Sequence, residues 1–247
     1  NLRYEAAVCG GIPIIRTLRD YYVNDEILRV SGIINGTSNY ILTQMHKGKT
    51  LEDAFAEAKH KGFAEADPTN DVDGLDALHK LVLLASLAFR TKINMSDVLR
   101  EGIRDVSHQD IYYLRHMLDP ASGEYHAIKL IASAEKRGNV LDLRLHPMLI
   151  SSQHPLYGVD GAMNAVSVYG KYLEGQVLRG RGAGSHPTAF AVMTDLFEVI
   201  ARIKEGTHKN FSDFSAKYTI ERDPVTSGYF RSISPEHESR VFATKCD

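Results

Sequence analysis

Lys80 follows Asp76 by four positions in the run Leu75-Asp76-Ala77-Leu78-His79-Lys80-Leu81-Val82-Leu83-Leu84-Ala85. On a helix the two share a face, with the acid toward the N-terminus, the stabilising order for an ion pair. Leu75, Leu78, Val82 and Ala85 recur at steps of three or four, and Leu81 and Leu84 widen the stripe until little of the helix is left for water. A lysine lodged among leucines beside an acid is a candidate proton-transfer group. The same spacing also describes a plain surface pair worth a few tenths of a kcal/mol. The loop before this helix adds Glu65, Asp67, Asp71 and Asp73. His79, next to Lys80, points elsewhere on the helix.

Three loops stand out elsewhere in the chain. Residues 27–34 read as a strand that ends in Asn35-Gly36-Thr37-Ser38-Asn39 before an apolar helix at 40–45. Small polar residues at a strand-to-helix junction offer backbone N–H groups to an anion; an ordinary capped loop has the same pattern. Residues 177–178 lead into Arg179-Gly180-Arg181-Gly182-Ala183-Gly184-Ser185, with a helix over 187–203 and Pro187 in its first turn. A glycine loop feeding a helix can approach a phosphate or a planar ring closely. The third loop is Cys9-Gly10-Gly11-Ile12-Pro13, with Pro13 opening a helix to about residue 22.

The remaining segments supply the frame. Thr50 caps an amphipathic helix marked by Leu51, Ala54, Phe55 and Ala58, which stops near Gly62. Residues 96–117 read as two helical pieces, and 119–123 as a turn. Strand-like runs occupy 126–135, 140–146 and 165–169, with a further one at 177–180. Leu141, Leu143 and Leu145 alternate with Asp142, Arg144 and His146, the signature of a half-buried strand, and Arg137-Gly138-Asn139 makes a hairpin turn. His146-Pro147 and His154-Pro155 read as loop or strand-end residues. The pattern predicts an α/β fold: a mixed sheet with helices packed against it over residues 1–204, then a polar tail or truncated segment at 205–247.

Composition narrows the function classes. The 247 residues are 43% hydrophobic and 24% charged, with a net charge of −2 and no long basic run, which argues against a nucleic-acid partner. No apolar run is long enough to span a membrane. The two cysteines, Cys9 and Cys246, have no metal-ligand spacing, and the eleven histidines form no HExxH. A reduced, cytoplasmic protein is expected.

The chain resembles the homoserine dehydrogenases. The resemblance rests on Tyr4-Glu5-Ala6-Ala7-Val8 with Gly10-Gly11-Ile12-Pro13-Ile14; on Gly32-Ile33-Ile34-Asn35-Gly36-Thr37-Ser38-Asn39-Tyr40-Ile41-Leu42; on Glu65-Ala66-Asp67-Pro68 through Asp71; on Gly74-Leu75-Asp76 with Lys80; on His146-Pro147 with His154-Pro155-Leu156; and on Gly180 to Gly184 with Pro187-Thr188-Ala189. These pieces span about residues 2–200, in the family's order. The resemblance implies an oxidoreductase of threonine, methionine and isoleucine biosynthesis that interconverts L-homoserine and L-aspartate 4-semialdehyde with NAD(P). It implies Lys80 as the acid–base group, held by Asp76, and Glu65, Asp71, Asp76 and Thr37 as substrate-binding residues. It places Asn35, Gly36, Thr37, Gly182 and Gly184 at the cofactor. It implies a monovalent-cation site at Glu5, by its side chain, with the backbone of Val8, Gly10 and Ile12. It also implies a homodimer to which the sheet contributes.

Two departures shape the expectation. No GxGxxG turn follows a strand, so the family's dinucleotide-binding domain is missing, and the chain by itself is expected to bind NAD(P) very weakly and to be inactive. The helix over 185–204 is expected to pack toward that domain. Tyr229-Phe230-Arg231 resembles the first strand of a regulatory ACT domain, but residues 232–247 do not complete one. The rival expectation is a non-catalytic dimerisation or substrate-binding module of the same fold. Joint retention of Glu65, Asp76 and Lys80 argues against it.

Overall fold

The computed structural model describes residues 2–64, 67, 69–116, 125–207, 218–221, 229–231 and 240–242. After a turn of helix at Glu5–Ala7, α1 (Ile14–Arg16) runs on as a π-helical turn (Thr17–Tyr21) and a tighter turn (Tyr22–Asn24). Strand β1 (Ile27–Ile33) feeds α2 (Gly36–His46), followed by α3 (Leu51–His60), α4 (Thr69–Val72) and α5 (Leu75–Phe89). Next come β2 (Leu99–Arg100), α6 (His108–His116) and the long hairpin β3 (His126–Arg137) and β4 (Val140–Ser151). A second hairpin, β5 (Met163–Gly170) and β6 (Glu174–Arg181), leads into α7 (Ser185–Lys204). Short strands β7 (Thr219–Ile220), β8 (Tyr229–Arg231) and β9 (Arg240–Phe242) complete the order.

One sheet of seven strands has the order β2-β4-β3-β1-β5-β6, with β7 also on β4. β2 and β7 run parallel to β4 and the other pairs are antiparallel. The mixed α/β sheet expected from the sequence is therefore present. β1 lies between the two hairpins, with Gly32 opposite Ala132 on one side and Val166 on the other. Helix α2 packs on β3 and β5, α5 packs on β1, β3 and β4, and α3 packs on α2. Ile41, Leu42 and Met45 of α2 and Leu78, Leu81, Leu84 and Ala85 of α5 meet Val30, Leu141, Leu143, Leu145 and Val166 in the main core. Each fully buried leucine contributes about 1.5–3 kcal/mol, which explains why α5 holds its place while carrying charged side chains. On the other face, Ile33, Ile131, Ile150, Leu156, Val159 and Ala165 form a smaller cluster under the β4–β5 connection.

Several boundaries differ from the sequence reading. Residues 96–117 hold one helix, α6, preceded by a turn at Met95–Asp97 and the edge strand β2, because Leu99 and Arg100 pair with Arg144 and Leu145. β4 continues through His146 and Pro147 to Ser151, so these are strand residues. Pro147 is tolerated because β2 pairs with β4 only as far as Leu145, and proline needs an edge without a partner. α2 begins at Gly36, four residues earlier than its apolar run. β6 runs to Arg181, opposite Met163, so part of the glycine-rich stretch is strand and the loop itself begins at Gly182. β7 returns to β4 after α7, so residues 218–221 belong to the main unit and not to a separate tail. The expected turn at 119–123 lies outside the described residues. β8 pairs with β9 in a small antiparallel ribbon. No helix among the described residues is long and apolar enough to cross a membrane.

Candidate active site

The end of β1, the start of α2, α4 and the first turns of α5 converge on one polar cluster. Asn35 caps α2, its side-chain oxygen accepting from the Ser38 amide at 2.8 Å and the Ser38 hydroxyl at 2.6 Å. Asparagine is a favoured cap because it satisfies an amide that the helix leaves unpaired. The other end of the same side chain donates to Asp71 Oδ1 at 2.7 Å and Asp76 Oδ2 at 2.9 Å. Lys80 Nζ donates to Asp76 Oδ2 at 2.6 Å and to the Ile34 carbonyl at 3.3 Å. The Lys80 side chain is 20% exposed and that of Asp76 34%. This is neither a bare surface pair nor a sealed one. Lys80 is held by an acid and a backbone carbonyl at the rim of the core, within reach of a ligand. His79 is exposed and takes no part.

Burial pushes the Asp71 carboxyl above its ordinary value, and the charge of Asp76 adds to the rise; the bond from Asn35 opposes it. Thr37 donates its hydroxyl to the Phe63 carbonyl at 2.6 Å, tying the α2 turn to the acidic loop. Glu65 lies outside the described residues.

The glycine loop reaches this cluster through a residue that the sequence reading missed. Asn39 of α2 donates to the carbonyls of Val159, Gly161 and Met163, fixing the turn that delivers Asn164 on β5. Asn164 is buried and donates to Cys9 Sγ at 3.4 Å. A Cβ on Gly182 would lie 2.3 Å from its amide, and one on Gly36 would lie 3.3 Å from its Oδ1 and 2.9 Å from the Ala162 carbonyl. Three loops thus meet on one asparagine. No donor among the described residues reaches its Oδ1. The signal in the sequence was a lone amide entering an apolar strand run, Asn164 before Ala165-Val166. Cys9 is buried, its thiol pushed up to about 11 by burial, while the bond from Asn164 and the charge of Lys80 act the other way.

Gly184 precedes the first residue of α7, and residues 183–186 are exposed there. Glu5 has a task that the sequence reading did not foresee. Its carboxylate accepts from the amides of Ile15 at 2.9 Å and Arg16 at 2.8 Å, satisfying the start of α1, while its own amide donates to Asp195 of α7 at 2.8 Å. Val8, Gly10 and Ile12 lie in the loop between, and the Ile12 carbonyl accepts from Ile14. Each Glu5 carboxylate oxygen accepts one amide and keeps a further lone pair. Among the described residues no three His, Cys, Asp or Glu side chains gather as a metal site.

Comparison with known proteins identifies the family. The family model for homoserine dehydrogenase matches residues 13–197. The homoserine dehydrogenase of Helicobacter pylori is 38% identical over 241 residues, which is 97% of this chain and 55% of that protein. The crystal structure of a homoserine dehydrogenase from Thiobacillus denitrificans superposes with a TM-score of 0.81 at 39% identity, over 88% of this chain and 51% of that one. A hyperthermophilic archaeal homoserine dehydrogenase mutant in complex with NADPH superposes with a TM-score of 0.65 at 30% identity, over 85% and 57% of the two chains. The chain spans about half the length of these relatives. With its cluster of acids around Lys80 and its glycine loop before α7, the chain belongs to the homoserine dehydrogenase family.

Proposed function

We propose that the chain supplies the substrate-binding and proton-transfer part of an oxidoreductase that interconverts L-homoserine and L-aspartate 4-semialdehyde with NAD(P). The observation that carries the reading is the 2.6 Å contact of Lys80 with Asp76, joined through Asn35 to Asp71 in a chain of this family. A primary alcohol becomes an aldehyde when a hydride leaves its carbon and a proton leaves its oxygen. Bound NAD(P) accepts that hydride or returns it. Lys80 handles the proton: its amine takes it from the hydroxyl in oxidation, and its ammonium gives it to the carbonyl oxygen in reduction. Asp76 orients Lys80, and Glu65, Asp71 and Asp76 supply the negative charge that receives the substrate's ammonium, with Thr37 at the same wall. A charge-assisted hydrogen bond of this kind contributes about 1.5–3 kcal/mol.

The backbone of Asn35, Gly36 and Thr37, with Gly182 and Gly184, would hold the nicotinamide end. The exposed start of the 20-residue helix α7 suits the dinucleotide's anionic phosphates, since a helix N-terminus favours negative charge. A monovalent cation would be held by the Glu5 side chain with the backbone carbonyls of Val8, Gly10 and Ile12. Residues 1–204, joined by β7, form the unit. The α7 face carrying Phe190, Met193, Phe197 and Ile200 packs on the cofactor-binding part of the whole protein, and the edge strand β6 serves a homodimer in the cytoplasm. The test is oxidation of L-homoserine by the full-length protein, monitored by the absorbance of the reduced nicotinamide. Turnover with homoserine that is lost when Lys80 is changed supports the reading. A folded full-length protein that binds homoserine without oxidising it returns the chain to the non-catalytic alternative.

A further inference from the structure

We propose that Asn35 is a positioning residue that holds Asp71 and Asp76 as paired acceptors and, through Asp76, keeps Lys80 aligned; this rests on the proposed function of the site. Asn35 is 6% exposed, at the end of β1. Each of its two amide hydrogens has its own carboxylate, at 2.7 and 2.9 Å. Its oxygen is fixed from the opposite side by the Ser38 amide and hydroxyl. A half-turn of the amide would set that oxygen against two carboxylates and the NH2 group against a backbone N–H. One orientation alone satisfies both sides.

That fixed orientation is what distinguishes this amide from other donors. A water or a hydroxyl in its place could turn away, and a lysine or histidine would add a charge of its own. The amide joins acids from two separate helices, α4 and α5, without charge and without titrating. Around the pair among the described residues are Lys80 from α5, Thr37 from α2, the Ile34 carbonyl just after β1, and the Cys9 thiol from the N-terminal loop. Lys80 is the positive charge in that set. Without the shared donor, the two carboxylates repel across the gap and one of them takes a proton at higher pH. Asp76, no longer tied to the shared amide, then holds Lys80 less firmly in line.

The test uses the full-length protein with Asn35→Ser and Asn35→Asp. Both variants keep an oxygen that can cap α2, so the helix start is preserved. The lower limb of the kcat/KM–pH profile for L-homoserine is expected to move up by about one unit in Asn35→Ser and further in Asn35→Asp. Profiles that superpose on that of the unaltered protein in both variants overturn the proposal. A second readout needs no turnover: the carboxylate carbon shift of Asp71, tracked against pH by NMR, moves to a higher midpoint in Asn35→Ser, and an unmoved midpoint overturns the proposal independently. If the unaltered protein oxidises no homoserine while the Asp71 midpoint still moves, the function reading fails and the positioning role stands.

Discussion

Gly182 lies against the side-chain amide of Asn164, so close that a Cβ would stand 2.3 Å from its nitrogen. The glycine is therefore required by a protein neighbour, whatever it offers to a cofactor. Gly182→Ala forces the loop off Asn164, an overpacking that costs about 1–3 kcal/mol. The full-length variant is expected to melt at lower temperature and to show a raised KM for the dinucleotide, with KM for homoserine less affected. Adding Asn164→Ala makes room for the methyl group. The double variant should therefore regain part of the melting temperature lost by Gly182→Ala, and strict additivity in the double-mutant cycle would refute the contact as the cause.

Lys80 gives the most direct kinetic prediction. In the full-length protein Lys80→Ala is expected to lower kcat by about 10²–10⁴-fold if the amine is the acid–base group, with modest change in KM. Steady-state assays on the purified variant measure this, and turnover near that of the unaltered protein would remove Lys80 from the chemistry.

Asp71 links activity to stability. Burial and the neighbouring charge of Asp76 raise its carboxyl above the ordinary 3.8. A carboxyl raised in the folded state stabilises the fold fully below its ordinary value, and that contribution is lost as pH rises through the raised one. At neutral pH the ionised Asp71 therefore weighs against the fold. Asp71→Asn is expected to raise the melting temperature at pH 7, to gain less near pH 4, and to lose substrate affinity. Thermal melts at the two pH values decide it: an equal gain at both would mean that ionisation is not the cause.

Much of the frame was legible because periodicity reports burial. Leu141, Leu143 and Leu145 are each at most 1% exposed, as their alternation demands, and Asn35 and Thr50 cap their helices through their side chains. The Asp76–Lys80 pair was legible from helical spacing, since both partners lie on one element. Asn164 was not, because its importance lies in contacts with Cys9, Gly36 and Gly182, which only the sheet brings together. The edge strand β2 was missed for a related reason: two residues, Leu99 and Arg100, carry no periodic signal, and only β4 makes them a strand. The bonds that Glu5 accepts from the Ile15 and Arg16 amides were not legible either, because a turn of the loop brings them together.

The α7 surface supplies a further prediction. Phe190 is 74% exposed, Phe197 63% and Ile203 62%, while Ala191 and Asp195 are its buried residues. Exposed apolar patches of this kind drive association. Produced on its own, the chain is expected to elute larger than its mass, and Phe197→Lys should shift it toward smaller species in light scattering. Because Phe197 is exposed and outside the core, far-UV circular dichroism should be unchanged.

The Cys9–Asn164 contact joins positions 155 apart in sequence, and the Glu5–Asp195 contact positions 190 apart. The acids and the lysine, by contrast, come from a single stretch between Asn35 and Lys80. Closing long loops costs chain entropy before the contacts repay it, so contacts of large sequence separation form slowly. On a ribosome the whole acid–lysine stretch emerges before Asn164 does. The wall that moves protons can thus gather early, and the wall that faces the glycine loop waits for the second hairpin.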